Sequence, residues 1–427
     1  MTKKPTSPLI LLSLSLVPFI MVLGNSMLIP VLPKIQSTLH LTPFQVSLLI
    51  TLFSIPAGLT IPLAGVLSDR VGRKKIVVPG LLVYAAGGLI SGLPPLLNIA
   101  SYPILLAGRV VQGIGAAGTA PIAMALAGDI FAKQERSKVL GLMEATNGLG
   151  KVVSPILGAL VGLLAWYAPF LLFPLLCVPS ALAVWLLIKE PQDRQNTQSL
   201  NAYFSSLKSI FQKKSSLLLP AFLAGSIVLF SLFGLLFYLS EFLEKTFKID
   251  GVIKGLYLAI PVLAMAAISY GTGLFIKKKT NLVKTVVVGG LILTGLGLIA
   301  IAFFTNLYYY LAATAIVGIG TGLVLPCLNI LVTGAVASDE RGLVTALYGS
   351  VRFIGVALGP PVFSVLIKGS KLVSFGIVSA LAGLAAILFF TLAHPAQGKK
   401  TTKTPDHGVK AGKPKLNAVP ALRKPLK

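Results

Sequence analysis

The sequence predicts an all-α membrane protein of twelve transmembrane helices, arranged as two related six-helix bundles. Three observations carry this expectation. Hydrophobic residues make up 55% of the chain and charged residues 11%, with a mean hydropathy of +0.88, whereas globular domains carry about 25% charged residues. Twelve apolar segments reach the roughly 20 residues that a helix needs to cross a hydrocarbon core. A shift of 205 residues lays Gly113, Gly115 and Pro121 on Gly318, Gly320 and Pro326, Glu135 and Arg136 on Glu340 and Arg341, and Gly150 and Pro155 on Gly355 and Pro360. One offset held across two helices and a loop marks an internal repeat. A parallel repeat of this kind implies a pseudo-two-fold axis along the membrane normal, with a site where the halves meet.

The segments are assigned helical because a helix satisfies its own backbone in lipid, whereas a barrel alternates with period two. The first, 9–31, runs on from Met1-Thr2-Lys3-Lys4 without a small-residue cleavage pattern, so it reads as a membrane helix and not a signal peptide. Segments 46–67, 76–97, 101–126, 138–163 and 166–188 complete a first half, 1–188. The longest internal polar break, 189–216, is the expected cytoplasmic linker. Segments 217–241, 252–276, 283–303, 307–335, 343–367 and 371–393 form the second half, 217–394. Residues 395–427 are rich in Lys, Pro, Thr and Gly without periodicity, and are expected to be a disordered basic tail, solvated or drawn to anionic lipid.

The charge balance, 37 Lys+Arg against 12 Asp+Glu, belongs to the membrane topology and not to nucleic-acid binding, because the basic residues fill short breaks between apolar runs. With the N-terminus placed inside, inner segments hold 28 basic residues and outer loops 6, which puts both termini in the cytoplasm of a cell-membrane protein. Cys177 and Cys327 sit in separate apolar segments without ligand-like spacing, so no disulfide framework, metal site or cofactor is expected. His40, His394 and His407 are scattered, and there is neither a nucleophile–base arrangement nor a phosphate-binding glycine loop. An enzyme is therefore not expected, and any transport must draw on a gradient.

Four stretches carry a family likeness. Residues 65–75, GVLSDRVGRKK, place Asp69, Arg70 and Arg73 between Gly65 and Gly72. A short charged clasp at a membrane face needs such an acid to receive helix N-termini or a guanidinium. The second-half counterpart, GLFIKKK at 273–279, keeps the cations and loses the aspartate. Residues 105–117, LLAGRVVQGIGAA, bury Arg109 with Gln112 in an apolar helix. Residues 141–159, GLMEATNGLGKVVSPILGA, hold Gly141, Gly150, Ser154, Pro155 and Gly158 at packing positions, with Ser154 and Ala159 where glycine is usual. Residues 25–33, NSMLIPVLP, put Asn25 where an acid often stands. Together, over about 9–394, these stretches resemble the major facilitator superfamily, and the 141–159 stretch resembles its exporting, antiport branch. The likeness implies alternating access by two rocking halves, export of drugs or small organic metabolites, and protons as the coupling ion. An importer or facilitator for a sugar or organic acid, and a non-transporting membrane receptor, stay open as alternatives.

Within the helices lie Arg109, Lys151, Arg352 and one acid, Glu144. A buried cation is costly in a bilayer, so each is expected to face a cavity or a partner. Asn25, Arg109, Gln112, Glu144, Lys151 and Arg352 are the candidate substrate or proton path; a mutually satisfied interhelical network is the alternative. Glu144 and Lys151, seven residues apart, share one face about 10 Å apart. If these groups face inward the cavity is positive and suits an anionic or polar aromatic metabolite, siderophore-like compounds included. Asp129 and Arg341 are assigned to the clasp with Asp69, Arg70 and Arg73. Glu241 and Glu244 are expected to be solvated, and Phe230, Phe233, Phe237 and Tyr238 either wall a site or pack. The chain is expected to act as a monomer.

Overall fold

The computed structural model describes residues 8–99, 101–131, 133–190, 200–278, 280–336, 340–366 and 369–393. The expected tail 395–427 and the run 191–199 of the expected linker lie outside them. Among the described residues all regular structure is helical.

The first span is α1 (Pro8–Ser26), a 3₁₀ turn (Ile29–Val31) and α2 (Leu32–Thr38). Pro30 and Pro33 cannot donate to the preceding turn, which accounts for the break. α3 (Pro43–Val71) starts on a capping box, in which Gln45 N–H donates to Thr42 Oγ1 at 3.2 Å and Thr42 N–H to Gln45 Oε1 at 2.9 Å. It stops at Gly72, whose φ of +106° suits glycine. α4 (Lys74–Leu96) follows. The fourth span, expected as one helix, divides into α5 (Tyr102–Ala117) and α6 (Ala120–Ile130), because Pro121 lacks the N–H that would continue the ladder to Ala117. α7 (Lys133–Gly162) and α8 (Ala168–Leu187) end this half.

The second half comprises α9 (Leu200–Phe247), α10 (Gly251–Lys278), α11 (Val283–Phe303), α12 (Leu307–Gly334), α13 (Arg341–Leu366) and α14 (Lys371–Leu392). α9 begins well inside the polar stretch 189–216, and its Ile210 is buried; Lys208, Lys213 and Lys214 lower the mean hydropathy there without preventing a helix. Among the described residues, eleven spans are long and apolar enough to cross a membrane. The twelfth, α7, is 30 residues long but polar, since it carries the expected central charges Glu144 and Lys151.

Packing repeats between the halves. α5 lies on α3 and α4, and α12 lies in the same way on α10 and α11. Gly113 leaves no room for a Cβ against the Phe53 carbonyl, and Gly318 none against the Pro261 carbonyl. Such close approach through small residues is how membrane helices gain contact without a hydrophobic driving force. α1 pairs with α7, and α9 with α13.

The halves touch along two seams, α3 with α13 and α7 with α10. We call the end holding residues 65–75 the inner end. Thr51 Oγ1 donates to the Ala357 carbonyl at 2.7 Å and Ser350 Oγ to the Gly58 carbonyl at 2.5 Å, so the α3–α13 seam is bonded in its outer and middle thirds. The α7–α10 seam closes only at the outer end, where Gly255 abuts Pro155 and Ala159 and Gly251 abuts Leu163. Toward the inner end, a Cβ on Gly141 or Gly148 of α7, or on Gly271 or Gly273 of α10, would meet nothing within 4 Å. Along the α7–α10 seam the outer glycines are thus packed and the inner ones border open space.

Candidate functional site

The buried arginine is a knot inside the first half. Arg109 is 0% exposed and donates from Nε to the Leu49 carbonyl (2.7 Å), from Nη1 to Gln112 Oε1 (2.6 Å), and from Nη2 to the Gly24 carbonyl and Asn25 Oδ1 (2.9 Å each). Its guanidinium lies 4.4 Å from the Phe53 ring centroid, and Asn25 Nδ2 donates to Ser54 Oγ at 2.7 Å. Three helices, α1, α3 and α5, are tied at one point by a cation without a carboxylate partner. Asn25, Arg109 and Gln112, expected on the substrate or proton path, instead close on one another out of the cavity. The physical reason is donor geometry: a planar fork can spread its charge over carbonyls, which lowers the cost of burial.

The other three charges lie where the halves separate. Glu144 is exposed and Lys151 half-buried on α7; Arg352 is half-buried on α13. Lys151 on α7 feels repulsion from Arg352 on α13 and attraction from Glu144 on its own helix. Among the described residues neither Lys151 nor Glu144 makes an ion pair or hydrogen bond. Arg352 Nε is buried without an acceptor, and its guanidinium stands 5.3 Å from the Tyr348 ring centroid. With Arg109 withdrawn into its knot, two cations and one carboxylate leave this region at net +1. Its unmet donors suit an anion or a strong hydrogen-bond acceptor.

The inner clasp forms around Arg73. Its Nε lies 2.5 Å from Asp129 Oδ2 and its Nη2 3.3 Å from Asp69 Oδ1. Glu190, which the sequence reading passed over, accepts the Arg73 N–H at 2.5 Å and the Lys74 N–H at 3.2 Å, and so caps α4 with a negative charge. Lys74 Nζ donates to the Ile188 carbonyl at 2.7 Å. An acid directly after a membrane helix was the available signal for Glu190. Arg70 is also engaged. Gly72 supplies the left-handed turn, whereas a Cβ at Gly65 would meet nothing within 4 Å. Arg341, expected in the clasp, is exposed at the start of α13 and joins none of these contacts. The clasp partners named here come from the first half and, in Glu190, from the linker.

The 141–159 stretch divides by depth. Gly158 presses on the Met27 carbonyl and Gly150 on Phe19, so these two pack α7 on the first span. Pro155 serves the outer seam, Ser154 Oγ is buried without a partner, and Gly141 borders open space. The outer acids are not simply solvated. Glu244 Oε2 and Asp250 Oδ1 lie 2.6 and 2.7 Å from Lys254 Nζ, and Glu241 pairs with Lys245. Phe230 and Tyr238 pack against Phe363 and Phe375 inside the second half and do not wall the seam.

Comparison with known proteins gives one answer at three levels. The Major Facilitator Superfamily model matches residues 14–360 and, overlapping, 280–426. The chain is 42% identical over 401 residues to the bacillibactin exporter of Bacillus subtilis (strain 168), covering 93% of this chain and 99% of that protein. It is 26% identical over 354 residues to multidrug resistance protein 2 of the same organism, covering 82% and 86%. A solved bacterial homologue of the human lysosomal transporter Spinster, inward-facing and unoccupied, superposes with a TM-score of 0.72 at 18% identity, covering 91% of this chain and 98% of that one. The twelve-span fold, the repeated packing and these matches together show that the chain belongs to the Major Facilitator Superfamily and is a multi-pass membrane transporter.

Proposed function

We propose that the protein exports an anionic, ring-bearing organic metabolite of siderophore type from the cytoplasm across the cell membrane. The observation that carries this is the pair of cations without ion-pair partners among the described residues, Lys151 and Arg352, one on a helix of each half. An anion entering from the open inner end meets both, and can bridge the halves as they close over it. The 42% identity to a bacillibactin exporter supports both the substrate class and the direction. The excess of basic residues at the inner end supports cytoplasmic termini. Glu144 is the carboxylate through which a proton gradient can act. Clasp and glycine residues then serve the motion and not the binding.

Binding tests this reading directly. Purified protein in nanodiscs is titrated with catecholate anions and with lipophilic cations of matched size. Anions are expected to bind, and Lys151→Ala to weaken them by about tenfold, the loss of one charge-assisted hydrogen bond of roughly 1.5 kcal/mol. Tighter binding of the cations, unaffected by Lys151→Ala, rules the proposal out.

A further inference from the structure

The outer seal contains a buried lysine that the transport site does not use. Lys254 is 1% exposed, three residues into α10, with Glu244 from the end of α9 and Asp250 from the connecting turn on its ammonium at 2.6 and 2.7 Å. Asp250 also feels Lys34 of α2, in the other half. The backbone is shaped for this arrangement: Lys248 and Gly251 both have positive φ, 58° and 60°, which folds the α9–α10 turn back on itself. The next residue after Lys254, Gly255, seats against Pro155 and Ala159 of α7, with Gly251 against Leu163. Ser240 of α9 donates to the Ile29 carbonyl of the first span at 2.8 Å, beside the same seal. The tip of the α9–α10 hairpin is thus the part of the second half that closes the outer end of the α7–α10 seam.

A buried ammonium is costly unless it is paired, and removing one partner leaves the others uncompensated. Lys254 therefore has one well-satisfied position, clipped between the two carboxylates, and in that position the first turns of α10 have the shape that α7 fits. We propose that Lys254 is the positioning residue of the outer gate: its two-carboxylate clip fixes the α9–α10 tip against α7 and so sets the balance between inward-open and outward-open states. The inference rests on the reading of the chain as an alternating-access transporter. It does not depend on the substrate.

The test is outer-seam accessibility in the full-length protein in nanodiscs without substrate. Ala159→Cys places a thiol on the α7 face of the seam; Cys177 and Cys327 are buried, and the parent chain gives their background. Labelling by a bulky hydrophilic maleimide is followed in Lys254→Met, Lys254→Arg and the triple variant Lys254→Met/Glu244→Gln/Asp250→Asn. A minor state populated at about 1% or less leaves room for a large shift, so Lys254→Met is expected to label about tenfold faster. Lys254→Arg, which can still be clipped, is expected to stay near the parent rate. The triple variant carries no unpaired charge yet lacks the clip, and is expected to label fast as well. It also carries the test if Lys254→Met alone does not fold. A parent-like rate in the triple variant, or in folded Lys254→Met, overturns the proposal. Because no solute is present, failure here is distinct from failure to bind anions.

Discussion

At the scale of single residues, the same residue type serves two purposes in this protein, and geometry separates them. Arg109 has acceptors for every nitrogen of its fork, whereas Arg352 keeps a buried Nε without one. The first is a structural tie and the second is an available donor. Replacing Arg109 by lysine keeps the charge but gives up the fork, and each buried carbonyl left unmet costs ~1–3 kcal/mol. Arg109→Lys is therefore expected to lower the unfolding midpoint of the purified protein clearly while leaving anion affinity in the surviving folded fraction unchanged. Parent-like stability contradicts the tie. The sequence made both arginines visible as costly groups in apolar helices, but it could not say which had partners. Those partners are carbonyls of Gly24 and Leu49, 85 and 60 residues distant along the chain. Side-chain type alone carries no record of them. Glu190 escaped notice for a similar reason, since its partners are backbone N–H groups of a loop that comes 116 residues earlier.

Among the elements, hydropathy gave the spans and missed the interruptions. Segment averages cannot register that Pro121 divides the fourth span, or that α9 starts within a lysine-bearing stretch, because breaks and extensions depend on individual hydrogen bonds. The glycine repeat was more informative. The constant offset of 205 paired Gly113 with Gly318, and the two make matching close contacts, with the carbonyls of Phe53 and Pro261. A Cβ at either position has no space and a helix backbone as its neighbour, so neither site can yield cheaply. Gly113→Ala and Gly318→Ala are each expected to cost about 1–3 kcal/mol, the usual range for overpacking, and to do so about equally. Thermal unfolding of both variants in one detergent checks this; a large effect at one and none at the other removes the structural equivalence of the halves.

Taken as a whole, the molecule has a charged fastening at each end and charges facing each other in between. The inner clasp gathers Asp69, Asp129 and the linker's Glu190 around Arg73. The outer clip has a definite pH behaviour. Burial by itself raises the Asp250 carboxyl, but the Lys254 hydrogen bond, the Gly251 N–H and the Lys254 and Lys34 charges outweigh it and hold it below the usual carboxylate range. A depressed value means that Asp250 supports the clip at every pH above its ordinary ~3.9 and ceases to do so only as pH falls through the lower one. Outer-seam labelling, divided at each pH by the rate of a fully exposed cysteine because maleimide reacts with the thiolate, is accordingly expected to stay flat between about pH 8 and pH 5. His40, which lines the cleft beside Glu244 and Lys245, is replaced by Gln so that the carboxylates facing Lys254 and Lys34 are read alone. A steep rise in labelling over that interval contradicts the assignment of Asp250 to the clip.

The central claim is that solute leaves through a cationic region whose charge responds to protons, and flux tests it most directly. Everted membrane vesicles holding a pH gradient are given aromatic anions or lipophilic cations, with the parent chain, Lys151→Ala or Glu144→Gln in the membrane. The account predicts that anions collapse the gradient, that cations do not, that Lys151→Ala weakens the anion response and that Glu144→Gln abolishes it. Collapse by cations alone, or an anion response undiminished by loss of Lys151 or Glu144, contradicts it.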